Sequence, residues 1–119
     1  MQFLLLIYHG TTPLPGTDRW NALAMAEQRR VYEEYGELNK APGITPGLPL
    51  GLPKDAKTVR AKNGSAQVSD GPYLDESGAV GGYFILEADD LDDAIKVASR
   101  VPAARLGGAI EVRPVAKYW

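Results

Sequence analysis

Two short runs in this chain are apolar on both sides of an extended backbone. They are Phe3 to Tyr8 (FLLLIY) and Tyr83 to Leu86 (YFIL). Successive side chains of a strand point to opposite faces. In the first run Phe3, Leu5 and Ile7 face one way, and Leu4, Leu6 and Tyr8 the other. A strand of this kind must be covered on both faces, so each run belongs in the middle of a sheet. Any fold for this chain has to provide two central strands far apart in sequence.

The segments between them carry weaker signals. His9-Gly10-Thr11-Thr12-Pro13 ends the first strand. A helix is expected from Thr17 or Asp18, either of which can cap it. Its buried stripe is Trp20, Leu23, Ala24, Ala26, Val31, Tyr35 and Leu38, and Pro42-Gly43 stops it. Ile44 to Pro53 (ITPGLPLGLP) reads as an edge strand or an ordered loop, because its prolines cannot donate to a ladder. Its alternating leucines, Leu48, Leu50 and Leu52, are expected to touch the core. Thr58 to Lys62, Asn63-Gly64 and Ser65 to Ser69 form a hairpin around the favoured two-residue turn, with basic residues on a solvated or edge face. Asp70-Gly71-Pro72-Tyr73 is a turn that delivers the polar segment Asp75 to Gly78 and then the second central strand.

The acidic cluster Asp89-Asp90-Leu91-Asp92-Asp93 opens a second helix, with Leu91, Ala94, Ile95, Ala98 and Val101 as its buried stripe. Acids at a helix N-terminus are explained by capping and by the helix dipole. The run lacks the spacing and the glycine of a calcium loop, so no metal site is expected there. Ile110, Val112 and Val115 make the last strand, and Tyr118 and Trp119 close the chain with aromatics suited to packing on a neighbouring surface.

Strand, helix, hairpin, strand, helix, strand is an α+β order: the ferredoxin-like split βαβ plan, with an antiparallel sheet. In that plan the first strand and the strand before the second helix are central, in agreement with the two doubly apolar runs. Two helices cover one face of the sheet. A second copy of the same sheet is the economical cover for the other, which predicts a homodimer.

Composition narrows the function. The 119 residues read as one domain, long enough to bury a core. A net charge of -2 argues against nucleic acid, whose phosphates need clustered Lys and Arg. The N-terminal apolar run is too short to span a bilayer, so no membrane association is expected. With no cysteine there is no disulfide, no thiolate metal site and no Cys nucleophile, which fits the cytoplasm. Gly81-Gly82 and Gly107-Gly108 lack a dinucleotide fingerprint, so backbone packing explains them and no cofactor is expected.

Few residues can carry acid-base chemistry. Asp70 would have a raised pKa if buried beside Tyr73 and Tyr83, which would suit it to proton transfer; alternatively it only bonds the turn it begins. His9 lies just past a central strand and can act as a base near neutral pH, or sit in solvent as a loop residue. Tyr8, Tyr73 and Tyr83 can line an apolar pocket or belong to the core, with Gly71 and Pro72 shaping the turn beside them. Arg113 can hold an anion or belong to a surface or interface pair. Two functions stay open. One is a small-molecule-binding or accessory module. The other is a cofactor-free enzyme for proton transfer or oxygenation using Asp70 and His9.

The motifs DGPY (70–73), GGYFIL (81–86), DDLDDA (89–94) and IEVRPV (110–115), with the opening MQFLLLIYHG, resemble the YCII-related family in its DGPF-motif branch. The resemblance spans most of the chain. It implies a dimeric α+β barrel of two ferredoxin-like subunits with a cleft in each protomer. It also implies a small bacterial protein, often encoded near alternative sigma factors, in a fold group that includes cofactor-free monooxygenases, dehalogenase-like enzymes and small-molecule binders. The loop departs from the branch pattern DGPFAETKE, with Tyr73, Asp75, Ser77 and Gly78 among the changes. Other branches pair a histidine on the first helix with an aspartate; here that helix has no histidine, and His9 is the only one in the chain.

Overall fold

A computed structural model describes residues 1–118. A four-stranded antiparallel sheet runs in the order β2-β5-β1-β6, built from β1 (Gln2–Tyr8), β2 (Ile44–Pro46), β5 (Val80–Glu87) and β6 (Ala109–Pro114). The two doubly apolar runs are its central strands, paired from Gln2↔Glu87 to Tyr8↔Val80. The helices α2 (Met25–Lys40) and α3 (Leu91–Ala98) pack on one face. There Phe3, Leu5, Phe84 and Leu86 meet Leu38, Ala94, Ala98 and Val101 in the core. On the opposite face Leu4, Leu6, Tyr8, Tyr83 and Ile85 are only half-buried.

Several expectations need correction. The hairpin, β3 (Lys57–Lys62) and β4 (Ser65–Asp70), is not part of this sheet but a separate two-stranded ribbon. Its Asn63-Gly64 turn has φ of 51° and 79°, the left-handed pair that a tight hairpin needs. The fourth strand of the sheet is instead the three-residue β2 at the start of the Pro/Gly-rich segment. Pro46 ends it, and the following prolines prevent a longer ladder. The ribbon projects. The radius of gyration is 16.1 Å, against roughly 13–14 Å for a compact chain of this length.

The first helix is broken. Thr17 caps a single turn, α1 (Asp18–Asn21), through a 3.3 Å bond from the Trp20 N–H. Ala22 to Ala24 then leave the helical path, and the Gln28 amide caps the freed carbonyls of Trp20 (2.9 Å) and Leu23 (3.2 Å). The break leaves Ala24 and Ala26 exposed, off the expected stripe. Leu48, Leu50 and Leu52 do not join the core and are 73, 50 and 37% exposed. In α3 the small Ala94 and Ala98 face the sheet and let the helix lie close to it. Leu91 and Ile95 point outward instead, and Val97 turns in beside the core. Asp90 caps α3 by accepting the Asp93 N–H at 2.8 Å. Tyr118 is exposed, and Trp119 lies outside the described residues. Among the described residues, no helix is long and apolar enough to cross a membrane.

Candidate functional site

The end of the sheet where β1 finishes carries the site. The register of β1 and β5 slips there: Ile7 pairs with Gly82 but Tyr8 with Val80, so Gly81 is the extra residue of a β-bulge. A Cβ at Gly81 would lie 2.9 Å from His9 Cγ and closer still to Cδ2 and Nε2. The missing side chain is what gives the imidazole its place. The backbone packing expected of the glycine pairs holds at Gly108 too, where a Cβ would come within 2.8 Å of the His9 carbonyl oxygen.

His9 lines a cavity of about 450 Å³. Trp20, Tyr35 and Val31 come from the helical side, Ile7, Tyr83 and Phe84 from the sheet, and Leu50 and Leu52 from the Pro/Gly-rich segment. The aromatic walls interlock: Trp20 meets Tyr32 edge-on at 5.3 Å, and Tyr35 stacks on Phe84 at 6.4 Å. The Pro/Gly-rich segment forms a strap along β5. The Gly47 N–H donates to the Tyr83 carbonyl (3.0 Å) and the Leu50 N–H to the Gly81 carbonyl (3.2 Å). Its prolines break the ladder yet hold the strap extended, which keeps Leu50 and Leu52 at the cavity rim.

Among the described residues, no Asp, Glu, Lys or Arg lines this cavity. Two lining residues have a buried polar side-chain atom with no hydrogen-bond partner: Nδ1 of His9 and Oγ1 of Thr12. Burial lowers the His9 pKa below the usual imidazole value, and a hydrogen bond to the Gly81 backbone partly offsets it. His9 is therefore a neutral ring at pH 7. It can accept or donate one hydrogen bond and can take a proton only weakly.

The other candidates lie elsewhere. Asp70 ends β4, is 87% exposed and is paired with Lys57. The structure does not bring it to His9. Gly71 has φ of 89°, as the turn requires, and its N–H donates to the Ala56 carbonyl at 2.8 Å. Pro72 and Tyr73 border a separate open depression across the strap, where the Arg60 guanidinium sits 5.8 Å from the Tyr73 ring centre. Tyr8 lies on the half-buried sheet face beside Ala109 of β6. Arg113 is exposed and 3.9 Å from Glu111. Of the candidates named from sequence, the cavity gathers His9 and Tyr83. Thr12, Trp20, Tyr35 and Leu50 were not anticipated. The detectable signal was the glycine pair at the start of a strand pattern, which marks a bulge or a close backbone approach.

Among the described residues, no three His, Cys, Asp or Glu side chains gather as a metal site. The site is a largely apolar cavity with one imidazole, at the end of a ferredoxin-like sheet. The YCII-related domain model matches residues 1–118. The chain belongs to the YCII-related family. It is also 30% identical over 91 residues to an uncharacterised protein of Rhizobium meliloti (strain 1021), covering 76% of this chain and 68% of that one.

Proposed function

We propose that the chain is a small-molecule-binding module whose ligand occupies the His9 cavity. One observation carries the reading: a cavity of about 450 Å³, with aromatic walls and no acidic or basic side chain among its described lining residues, is lined by the only histidine of the chain. Pockets of this size and polarity are typical of small-ligand sites. Asp70 does not line it, so the binding reading has more geometric support than catalysis through Asp70. An NMR titration with neutral one- and two-ring aromatic fragments tests the proposal. Amide shifts centred on Thr12, Gly47 and Gly81 are expected. Shifts confined to the ribbon, or none across the whole panel, would refute it.

The module acts as a homodimer in this reading, packed through the sheet face opposite the helices. Supporting it, Leu4, Leu6, Tyr83 and Ile85 remain only half-buried in a single chain. Leu6→Glu places a charge in the middle of that face. Light scattering should give a dimer mass for the wild type and a monomer mass for the variant, and a monomeric wild type at micromolar concentration would exclude the dimer. The turn Asp70-Gly71-Pro72-Tyr73 supports placement in the DGPF-motif branch, and the lack of cysteine supports a cytoplasmic setting. A setting beside alternative sigma factors rests on the family resemblance alone.

A further inference from the structure

The strap is the least supported part of the cavity wall. One end of it is fixed. A Cβ at Gly47 would lie 2.3 Å from the Tyr83 carbonyl oxygen and 2.6 Å from the Tyr83 ring, so this glycine lets the strap lie directly on β5. Three residues on, the Leu50 N–H reaches the Gly81 carbonyl at 3.2 Å. Beyond that bond, among the described residues, the backbone from Gly51 to Asp55 bonds only within its own turn. The next tie to another element is the Ala56 carbonyl, which accepts the Gly71 N–H. Leu48, Leu50 and Leu52 add little hold, since none joins the core. A segment with few buried contacts and few backbone bonds opens locally, at far less cost than global unfolding.

Leu50, Gly51 and Leu52 line the cavity and also the open depression across the strap. The strap is thus a partition, one chain thick, between two hollows. The outer one holds about 440 Å³, and Pro72, Tyr73, Leu74 and Val80 make its walls largely apolar. Asp55 is the only charged side chain among its described lining residues. An exposed apolar hollow against the wall of a second one is suited to the first contact with an apolar ligand. Pro49 and Pro53 stiffen the chain on either side, and Gly51, with open space where a Cβ would stand, is the flexible point between them. We propose that the strap is a gate: release of the Leu50 N–H from Gly81 swings residues 50–52 aside and passes a neutral, largely apolar ligand from the outer depression into the His9 cavity. The inference rests on the binding reading above and adds the route and the moving part. Loop gates of this kind set the rates of entry and release together.

Hydrogen exchange and binding kinetics on the intact chain test this. In the free protein the Leu50 amide should exchange far faster than the Leu5 and Phe84 amides of the central strands, at a rate that low urea does not change. Gly51→Ala fits the open space and restricts the opened strap, so it should slow Leu50 exchange by about twofold to fivefold. Indole and 2-naphthol serve as probes at neutral pH, with association and dissociation rates taken from NMR line shapes. Gly51→Ala should lower both rates by a similar factor. Leu74→Trp adds bulk to the depression alone, since Leu74 does not line the cavity, and should lower both rates as well. A Leu50 amide that exchanges only through global unfolding, with the urea dependence of Leu5, would overturn the gate while leaving the cavity a binding site. Probe rates that neither substitution changes would do the same. Failure of both probes to bind at millimolar concentration would remove the binding reading itself, and with it the gate.

Discussion

Gly81→Ala tests the bulge as the seat of His9. Gly81 has no positive φ, so alanine is compatible with the backbone and the substitution adds only a methyl group. That methyl would stand 2.9 Å from His9 Cγ, with Cδ2 and Nε2 nearer still. The imidazole must move, and the free space beside it is the cavity. Overpacking of a formed site costs about 1–3 kcal/mol. Replacing glycine returns about 0.4–1 kcal/mol by restricting the unfolded chain. A net loss of about 1 kcal/mol is expected, or roughly 3–6 °C in Tm for a chain of this size. Urea unfolding followed by circular dichroism gives the value. His9→Ala in the same background removes the ring that the methyl strikes, so the double mutant should show a favourable coupling of about 1 kcal/mol or more. Additive losses would mean that the alanine acts on the sheet and not on the imidazole, and the argument for the bulge would fail.

Two further outcomes follow, one from the burial of His9 and one from the exposure of Asp70. His9 has a folded pKa below its unfolded value of about 6.5, so between those two values the unfolded chain binds more protons and stability rises with pH. Wild-type stability relative to His9→Phe should be fully present above pH ~6.5 and decline as the pH falls through the lowered folded pKa; thermal melts across mildly acidic to neutral buffers check this, and parallel curves would contradict it. Asp70→Asn removes one partner of an exposed pair, so stability should change by no more than about 0.5 kcal/mol and ligand affinity in the His9 cavity should not change. A fall in affinity without unfolding would bring Asp70 back as a ligand-binding residue.

The parts of the fold legible in the sequence are those whose cause is local. The double-faced runs identify β1 and β5 as central because no edge position could bury both sets of side chains. Asn63-Gly64 identifies the hairpin because few other pairs accept two left-handed residues in succession. Asp90 and Thr17 announce helix starts through their side-chain oxygens. The segment Ile44 to Pro53 reads as an edge strand or a loop, and its first three residues form the edge strand beside β5; how little of it pairs was not legible. Ile44–Pro46 is short, and what makes it a strand is the waiting edge of β5, not its own propensity. The hairpin carries a strand pattern of its own, yet its strands pair only with each other. The break at Ala22 to Ala24 also has no local cause, since alanine and leucine favour helix; the Gln28 amide satisfies the carbonyls that the break frees.

The site shows the same division more sharply. His9 was recognisable as the one group that titrates near neutrality, and its place past a central strand followed from the pattern. Its surroundings come from segments that carry no shared motif. Much of what defines them is backbone, which a sequence records only as the absence of a side chain. Gly81 is the clearest case. Its missing Cβ makes room for the imidazole, its carbonyl accepts the Leu50 N–H that pins the strap, and its extra position in the ladder separates Ile7 from Tyr8. Asp70-Gly71-Pro72-Tyr73 is by contrast conspicuous in the sequence because turns require particular residue types, yet the structure uses Gly71 and Ala56 to close the base of an exposed ribbon. Conspicuous residue chemistry thus marked a turn, while the cavity formed where a bulge, a strap and a broken helix converge on one histidine.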